Sequence, residues 1–270
     1  MSRLSVARSC IAALLLTAGA AATTADEAVF RYDPEKIEVG TVYHYVKSNI
    51  DGSRPSRIAL YVAAADRLES FKWHDGASQA ALVKAQMDWQ LFSVRLFESW
   101  RVQEDGKQHL IATLTYRDDE GDYTVSIGPQ ARVQIDNWPW HSYDFDFASL
   151  NFCMRHLVDP EAAFTFGVAD VVRSADGIAF ADKGPVTMTF EREEARHDVA
   201  CRRYRVDGEG LEDRGGVIWV DRDAQHIVDY EIDLPDEPGF ESGKLRLETV
   251  GRMSREEWQT FMNEQLARDG

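Results

Sequence analysis

Apolar and polar residues alternate with a period of two along most of this chain, and the alternation is broken at intervals by Asp-Gly steps. Val42, His44 and Val46 alternate with Tyr43, Tyr45 and Lys47. Leu110, Ala112, Leu114 and Tyr116 share one face, and Tyr123, Val125 and Ile127 alternate with Thr124 and Ser126. The same pattern returns at Val186–Phe190, Val228–Ile232 and Leu245–Leu247. A period of two places successive side chains on opposite faces of a strand, so one face is buried and the other meets water or a ligand. Asp51-Gly52, Asp75-Gly76, Asp105-Gly106, Asp176-Gly177 and Asp207-Gly208 fall between the runs. Asp-Gly tolerates the positive φ of tight hairpin turns. Connections this short join antiparallel neighbours, because parallel pairing needs a longer crossover. Roughly a dozen strands are predicted, more than one flat sheet holds without curling.

Helix is scarce. Ser254-Arg255-Glu256-Glu257 has the form of a capping box, and Trp258, Phe261, Met262 and Leu266 follow at helical spacing. That predicts a terminal amphipathic helix over about 255–268, docked on the sheet by its apolar stripe. Phe147, Leu150, Met154 and Leu157 predict a second, shorter helix near 146–157, ending before Asp159-Pro160. The predicted fold is mainly β: a curved antiparallel meander, either a half-barrel or a two-lobed sheet, with a short middle helix and a C-terminal amphipathic helix. No Pro/Ser/Gly linker divides it. Residues 26–270 read as a single β-rich domain, or as two sheet lobes (about 37–135 and 160–252) joined by 136–160.

Residues 1–25 read as an export signal. Arg3 and Arg8 form a basic start, Ile11 to Ala22 is a short apolar run, and Ala20-Ala21-Ala22 and Thr23-Thr24-Ala25 offer small-residue cleavage sites. Cys10 precedes the apolar run, which argues against a lipoprotein signal. The expected compartment is the bacterial periplasm or the extracellular medium. Removing the leader takes away two arginines and no acid, so the net charge moves from −16 to −18. So acidic a chain has no general affinity for nucleic acid or anionic lipid surfaces. No apolar stretch in the rest reaches the roughly 18–20 residues of a membrane-spanning helix. Two cysteines then remain, Cys153 and Cys201, and in an oxidising compartment a disulfide between them is expected, with two buried unpaired thiols as the alternative. No Cys/His spacing suits a metal, and no cofactor-binding motif occurs.

Chemistry-bearing residues are densest in Trp138-Pro139-Trp140-His141-Ser142-Tyr143-Asp144-Phe145-Asp146-Phe147. An enzymatic reading makes His141 a general base oriented by Asp144 or Asp146, as in an exported hydrolase or isomerase. The structural reading makes the stretch a connector pinned by its rings, with its acids capping the helix that follows. Arg202, Arg203 and Arg205 form the main basic cluster, and Glu191, Glu193 and Glu194 are their expected partners. Seven tryptophans are present. Trp138, Trp140, Trp73, Trp89, Trp100 and Trp219 are candidates to line an apolar groove, against the alternative of ordinary core.

The order of leader, β-meander, middle segment Asp146-Phe147-Ala148-Ser149 with Arg155 following, and strand pairs such as Gly216-Val217-Ile218-Trp219-Val220 and His226-Ile227-Val228-Asp229-Tyr230 resembles a group of exported bacterial proteins built on a curved antiparallel sheet. The group contains the lipoprotein-carrier half-barrels and a related uncharacterised periplasmic family, and the resemblance spans roughly 37–250. It implies a concave face that shelters acyl chains or other apolar ligands, and it carries over no catalytic residue. The extended amino-terminal half and the terminal helix depart from it. The functional expectation is an envelope protein that binds a lipid-like small molecule or assists envelope biogenesis, more a binder than an enzyme. A protein-interaction module with an envelope partner is the further alternative.

Overall fold

The structure, a computed structural model, describes residues 28–127, 130–174, 177–235 and 239–267. The expected leader at 1–25 lies outside them. The first arm of the chain is β1 (Thr41–Ser48), β2 (Ser56–Ala64), β3 (Arg67–Trp73), β4 (Gln79–Asp88), β5 (Ser93–Gln103), β6 (Gln108–Arg117), β7 (Asp122–Ser126) and β8 (Gln130–Val133). The second arm is β9 (Trp140–His141), α1 (Ala148–Met154), β10 (Phe164–Ser174), β11 (Gly177–Arg196), β12 (Val199–Asp207), β13 (Gly216–Asp221), β14 (Ile227–Ile232), β15 (Gly243–Arg252) and α2 (Arg255–Ala267).

All fifteen strands belong to one curved, unclosed sheet in the order β8-β7-β6-β5-β4-β3-β2-β1-β15-β14-β13-β12-β11-β10-β9. Each arm is a meander, and the two are joined where the first strand pairs with the last. Among the described residues every ladder is antiparallel except the two-residue pairing of β9 with β10. Seven of the fourteen ladders carry a register shift, and such bulges bend and twist a sheet too wide to stay flat. Three of the Asp-Gly steps serve as the alternation predicts. Gly52, Gly76 and Gly106 turn the chain from β1 to β2, β3 to β4 and β5 to β6, with φ of +85°, +77° and +77°.

Residues 134–139 link β8 at one edge to β9 at the other, and residues 142–163, between β9 and its neighbour β10, turn into the hollow of the curve. They fill it. Trp140, Tyr143, Phe145, Phe147, Leu150, Phe152 and Met154 pack with Tyr43, Tyr45, Leu60 and Val62 of one arm and Tyr204, Val206, Tyr230 and Ile232 of the other. All seven residues of α1 are buried. The inner wall is apolar as expected, but its occupant is the chain itself.

The helix α2 covers the opposite face of the first arm. Trp258, Met262 and Leu266 pack on Val42, Ala59, Tyr61, Phe71 and Leu82. Its capping box closes reciprocally: the Ser254 backbone N–H donates to Glu257 Oε2 at 2.7 Å, and the Glu257 N–H donates to Ser254 Oγ at 3.2 Å. The expected acid cap on α1 is absent. Asp146 and Phe147 both take positive φ, +53° and +51°, and the residue preceding the helix is Phe147, with no side-chain cap. The turn of the chain into the hollow therefore starts the helix two residues later than its apolar spacing suggests.

The expected Cys153–Cys201 bridge is not formed. Both thiols are free and buried. Cys153 lies on α1 inside the curve, whereas Cys201 points from the outer face of β12 into a small cluster with Trp219 and Val228. The sheet stands between them. Burial pushes both thiols up, Cys201 to about 11.

Candidate functional site

Residues 138–147 lie deep in the molecule. His141 is fully buried, and its Nδ1 is 3.0 Å from Ser149 Oγ. Neither Asp144 nor Asp146 orients it. Burial lowers its pKa to about 3, so the ring is neutral at physiological pH, and it lines none of the cavities described below. Asp146 instead makes a buried ion pair, its Oδ1 2.6 Å from Lys47 Nζ and its Oδ2 3.0 Å from Lys72 Nζ. Asp144 lies at the turn that holds Asp170 of β10. The Asp170 carboxylate takes the Ser142 hydroxyl at 2.5 Å and the Tyr143 and Asp144 backbone N–H groups at 3.2 Å each. The cluster the sequence singles out thus disperses into three separate fixings of the inner segment.

The six tryptophans do not share a wall either. Trp138 and Trp140 pack inside the curve around Tyr123, to whose hydroxyl the Trp140 indole N–H donates at 2.9 Å. Trp89 stacks on Tyr32 at 5.0 Å and donates to Ala65 O. Trp73 and Trp100 lie on the outer face beside α2, with Lys84 Nζ 4.7 Å above the Trp100 ring. Trp219 lies on the outer face of the second arm under Arg196, whose guanidinium is 4.1 Å from its ring centroid. Of the three clustered arginines, Arg203 meets the expected acids at Glu191 and Glu194, whereas Arg202 donates to the Arg222 carbonyl and Arg205 approaches Asp207; Glu193 pairs with Arg222 instead.

Among the surface hollows, two adjoin on the outer face at the seam where β1 meets β15. A cleft of about 510 Å³ is lined by Val46, Ser48, Ile50, Pro55, Arg57, Asp75, His197, Lys244, Arg246 and Glu248, among others. A second hollow of about 310 Å³ continues from it under the end of α2, sharing Arg57, Asp75 and Glu248 and adding His44, Trp73 and Phe261. Their size falls within the range of small-molecule sites. Register explains the lining. Val46 lies opposite Arg57 on one side and Arg246 on the other, so the three stand on one rung of the outer face. One rung nearer α2, His44 meets the Phe261 ring edge-on at 5.4 Å. Burial lowers the His44 pKa, and the Glu248 charge opposes this.

Glu248 occupies a bulge. His44 pairs with Thr249 and Tyr45 with Leu247, leaving Glu248 with no residue opposite. Its carboxylate reaches over the rung, accepting from Arg57 Nη1 at 2.7 Å and Arg246 Nη2 at 3.2 Å. Lys244, two residues along the same strand, is held by Glu231 at 2.7 Å.

His197 borders the cleft from the β11–β12 turn. It and Asp198 both have positive φ, +50° and +63°, which a two-residue hairpin of this type requires. Its Nε2 lies 2.8 Å from Asp229 Oδ2, and Arg196 reaches the same carboxylate at 2.7 Å. Asp229 is fully buried, and burial raises its pKa against both partners. This is a histidine–carboxylate pair that sequence spacing could not reveal, because it joins residues of different hairpins. Among the described residues no three metal-ligating side chains cluster, and no helix is long and apolar enough to cross a membrane.

No family model matches the chain, and no curated protein matches it in sequence. Solved structures similar to it include the following two. One is a beta-barrel-like protein of the domain of unknown function DUF1849 from Brucella abortus, with 10% identity, a TM-score of 0.44, and coverage of 80% of this chain and 98% of that one. The other is a putative outer membrane lipoprotein-sorting protein domain from Vibrio parahaemolyticus, with 9% identity, a TM-score of 0.29, and coverage of 83% and 91%. These are the two kinds of protein that the order of elements in the sequence resembles.

Proposed function

We propose that this chain is an exported envelope protein that binds one amphiphilic small molecule in the outer cleft. One observation carries the reading: the cleft is continuous from a charged end at Arg57, Lys244 and Arg246 to an aromatic end at Trp73 and Phe261. Val46 lies on the rung next to the aromatic end, and Ile50 and Pro55 line the end of the cleft away from it. A molecule with a polar head and an apolar body matches that sequence of surfaces. The hollow of the sheet, where a carrier of acyl chains would hold its cargo, is occupied by residues 140–157. The compartment rests on the leader read at 1–25.

The test is calorimetric titration of the chain from residue 26 with sodium dodecanoate and, separately, with dodecyl maltoside. Saturable binding of at least one of them is expected, and Val46→Phe, which fills the floor while keeping strand propensity, should abolish it. Binding that survives Val46→Phe, or no saturable binding of either amphiphile, refutes the assignment. Export is checked by fractionating cells that express the full chain. Recovery of an uncleaved product in the cytosol overturns that part.

A further inference from the structure

We infer that Glu248 is a built-in stand-in for the head group, and that the cleft selects an amphiphile with an anionic head, a carboxylate or its equivalent, which takes the place of Glu248 between Arg57 and Arg246. This deepens the binding reading above and rests on it.

The two guanidiniums flank Val46 on a single rung, two strand spacings apart, roughly 9–10 Å at the backbone. They are aimed at the same point, above Val46, because both hold one carboxylate there. Guanidinium forks suit planar oxyanions, so the geometry that receives Glu248 receives a ligand carboxylate equally well. The carboxylate now present is a weak tenant. It comes from a bulge, where the backbone is not locked by a facing residue. Its side chain is 36% exposed and those of Arg57 and Arg246 are 41% and 46% exposed, and ion pairs so open to water contribute roughly 0–1 kcal/mol. Glu248 can therefore turn out into solvent at small cost while both arginines keep an anionic partner.

The surroundings favour this exchange. Lys244, itself paired with Glu231, lies on the same side of the cleft one rung away from Arg246. Beyond the displaced carboxylate lie Trp73 and Phe261, so an anion seated on the rung can lay its body against the rings. Without a head group that competes for the arginines, Glu248 stays over Val46 and narrows the passage between the two hollows, since it lines both. The exchange thus sets specificity by a difference between ligands, with the internal carboxylate acting against neutral ones.

The experiment compares dodecanoate with the neutral dodecyl maltoside on the chain from residue 26, in wild type, Glu248→Gln and the Arg57→Ala/Arg246→Ala double variant. Glu248→Gln should tighten dodecanoate by roughly two- to fivefold, the worth of one or two exposed ion pairs. The maltoside should not change in parallel. The double variant should weaken dodecanoate by roughly tenfold, and the wild-type affinity should fall with added salt. Circular dichroism of the exposed-site variants confirms that they fold. If Glu248→Gln leaves dodecanoate unchanged, or tightens both amphiphiles alike, the stand-in role is refuted while the cleft remains a binding site. If neither amphiphile binds the wild type, both readings fall.

Discussion

Lys47 Nζ lies 2.6 Å from Asp146 Oδ1, with both side chains withdrawn from water at the centre of the curved sheet. Lys72 approaches the second carboxylate oxygen at 3.0 Å. Two cations from β1 and β3 thereby hold the inner segment just before α1. Breaking a buried pair from one side leaves a charge in a poor solvent, which costs about 3–5 kcal/mol. Asp146→Asn should lower the urea-unfolding free energy by that order. Lys47→Met combined with Asp146→Asn should cost less than the sum of the single changes. Full additivity in the double-mutant cycle would show that the pair is not coupled.

Asp170 gives a pH signature of the opposite sense to that of most acidic residues. Burial, with the Asp144 charge next, pushes its pKa up to about 8 from 3.8, against the Ser142 hydroxyl and the backbone N–H groups. The folded chain then keeps this proton where the unfolded chain has lost it. The associated stability is complete below about pH 4 and is lost as pH rises through about 8. Melting temperature recorded from pH 5 to pH 9 should fall more steeply for the wild type than for Asp170→Asn. Parallel curves would exclude Asp170 as the source.

His141 should not titrate between pH 5 and 8. With its pKa lowered by burial to about 3, its C–H resonances should stay fixed across that range. Since the unfolded imidazole gains a proton near pH 6.5, the stability this ring contributes is lost as pH falls below that value towards 3. A resonance that shifts with a midpoint near pH 6 would contradict the neutral, Ser149-bonded ring and restore His141 as a candidate base.

Trp258 joins α2 to the sheet by packing and by one polar bond. Its ring is fully buried, stacks on Tyr61 at 4.9 Å, and its N–H donates to Glu69 Oε2 at 2.8 Å. Trp258→Ala should cost about 3–5 kcal/mol. Trp258→Phe retains most of the packing and gives up the bond, so about 1–3 kcal/mol is expected. Equal losses in the two variants, measured by denaturant unfolding, would assign the whole effect to the indole N–H.

The thiols of Cys153 and Cys201 should be unreactive in the folded chain from residue 26 and both reactive in guanidinium chloride. Dithiothreitol should leave its melting temperature unchanged. A lower melting temperature on reduction would reinstate the bridge.

The sequence discloses what depends on neighbours along the chain. Alternation separates Tyr43 and Tyr45 from Val42 and His44 without saying which pair faces the hollow, and Ser254 with Glu257 announces α2. The expected bridge overlooks parity along β12: Tyr204 and Val206 face the hollow, so Cys201 faces away from it. What the sequence conceals is pairing at a distance. Arg57, Val46 and Arg246 each read as ordinary strand residues until β1 and β15 bring them onto one rung. His197 reads as a turn residue until its ring reaches Asp229. The inner segment announces its aromatic rings but not that it is itself the filling of the hollow. That shows only in the packing, because β9 and β10 are neighbours at one edge and their connection could have run outside the curve.

The pairing of β1 with β15 has a temporal consequence. Val46 meets Arg246, a residue 200 positions later in the chain. At a synthesis rate of about 5–20 residues per second, some 10–40 seconds separate the appearance of the two partners. Until then one arm has no mate along its inner border, and the last strand to emerge is the keystone. Contacts so distant in order also slow the search for the native state. Such a polypeptide stays pliant while it is being made.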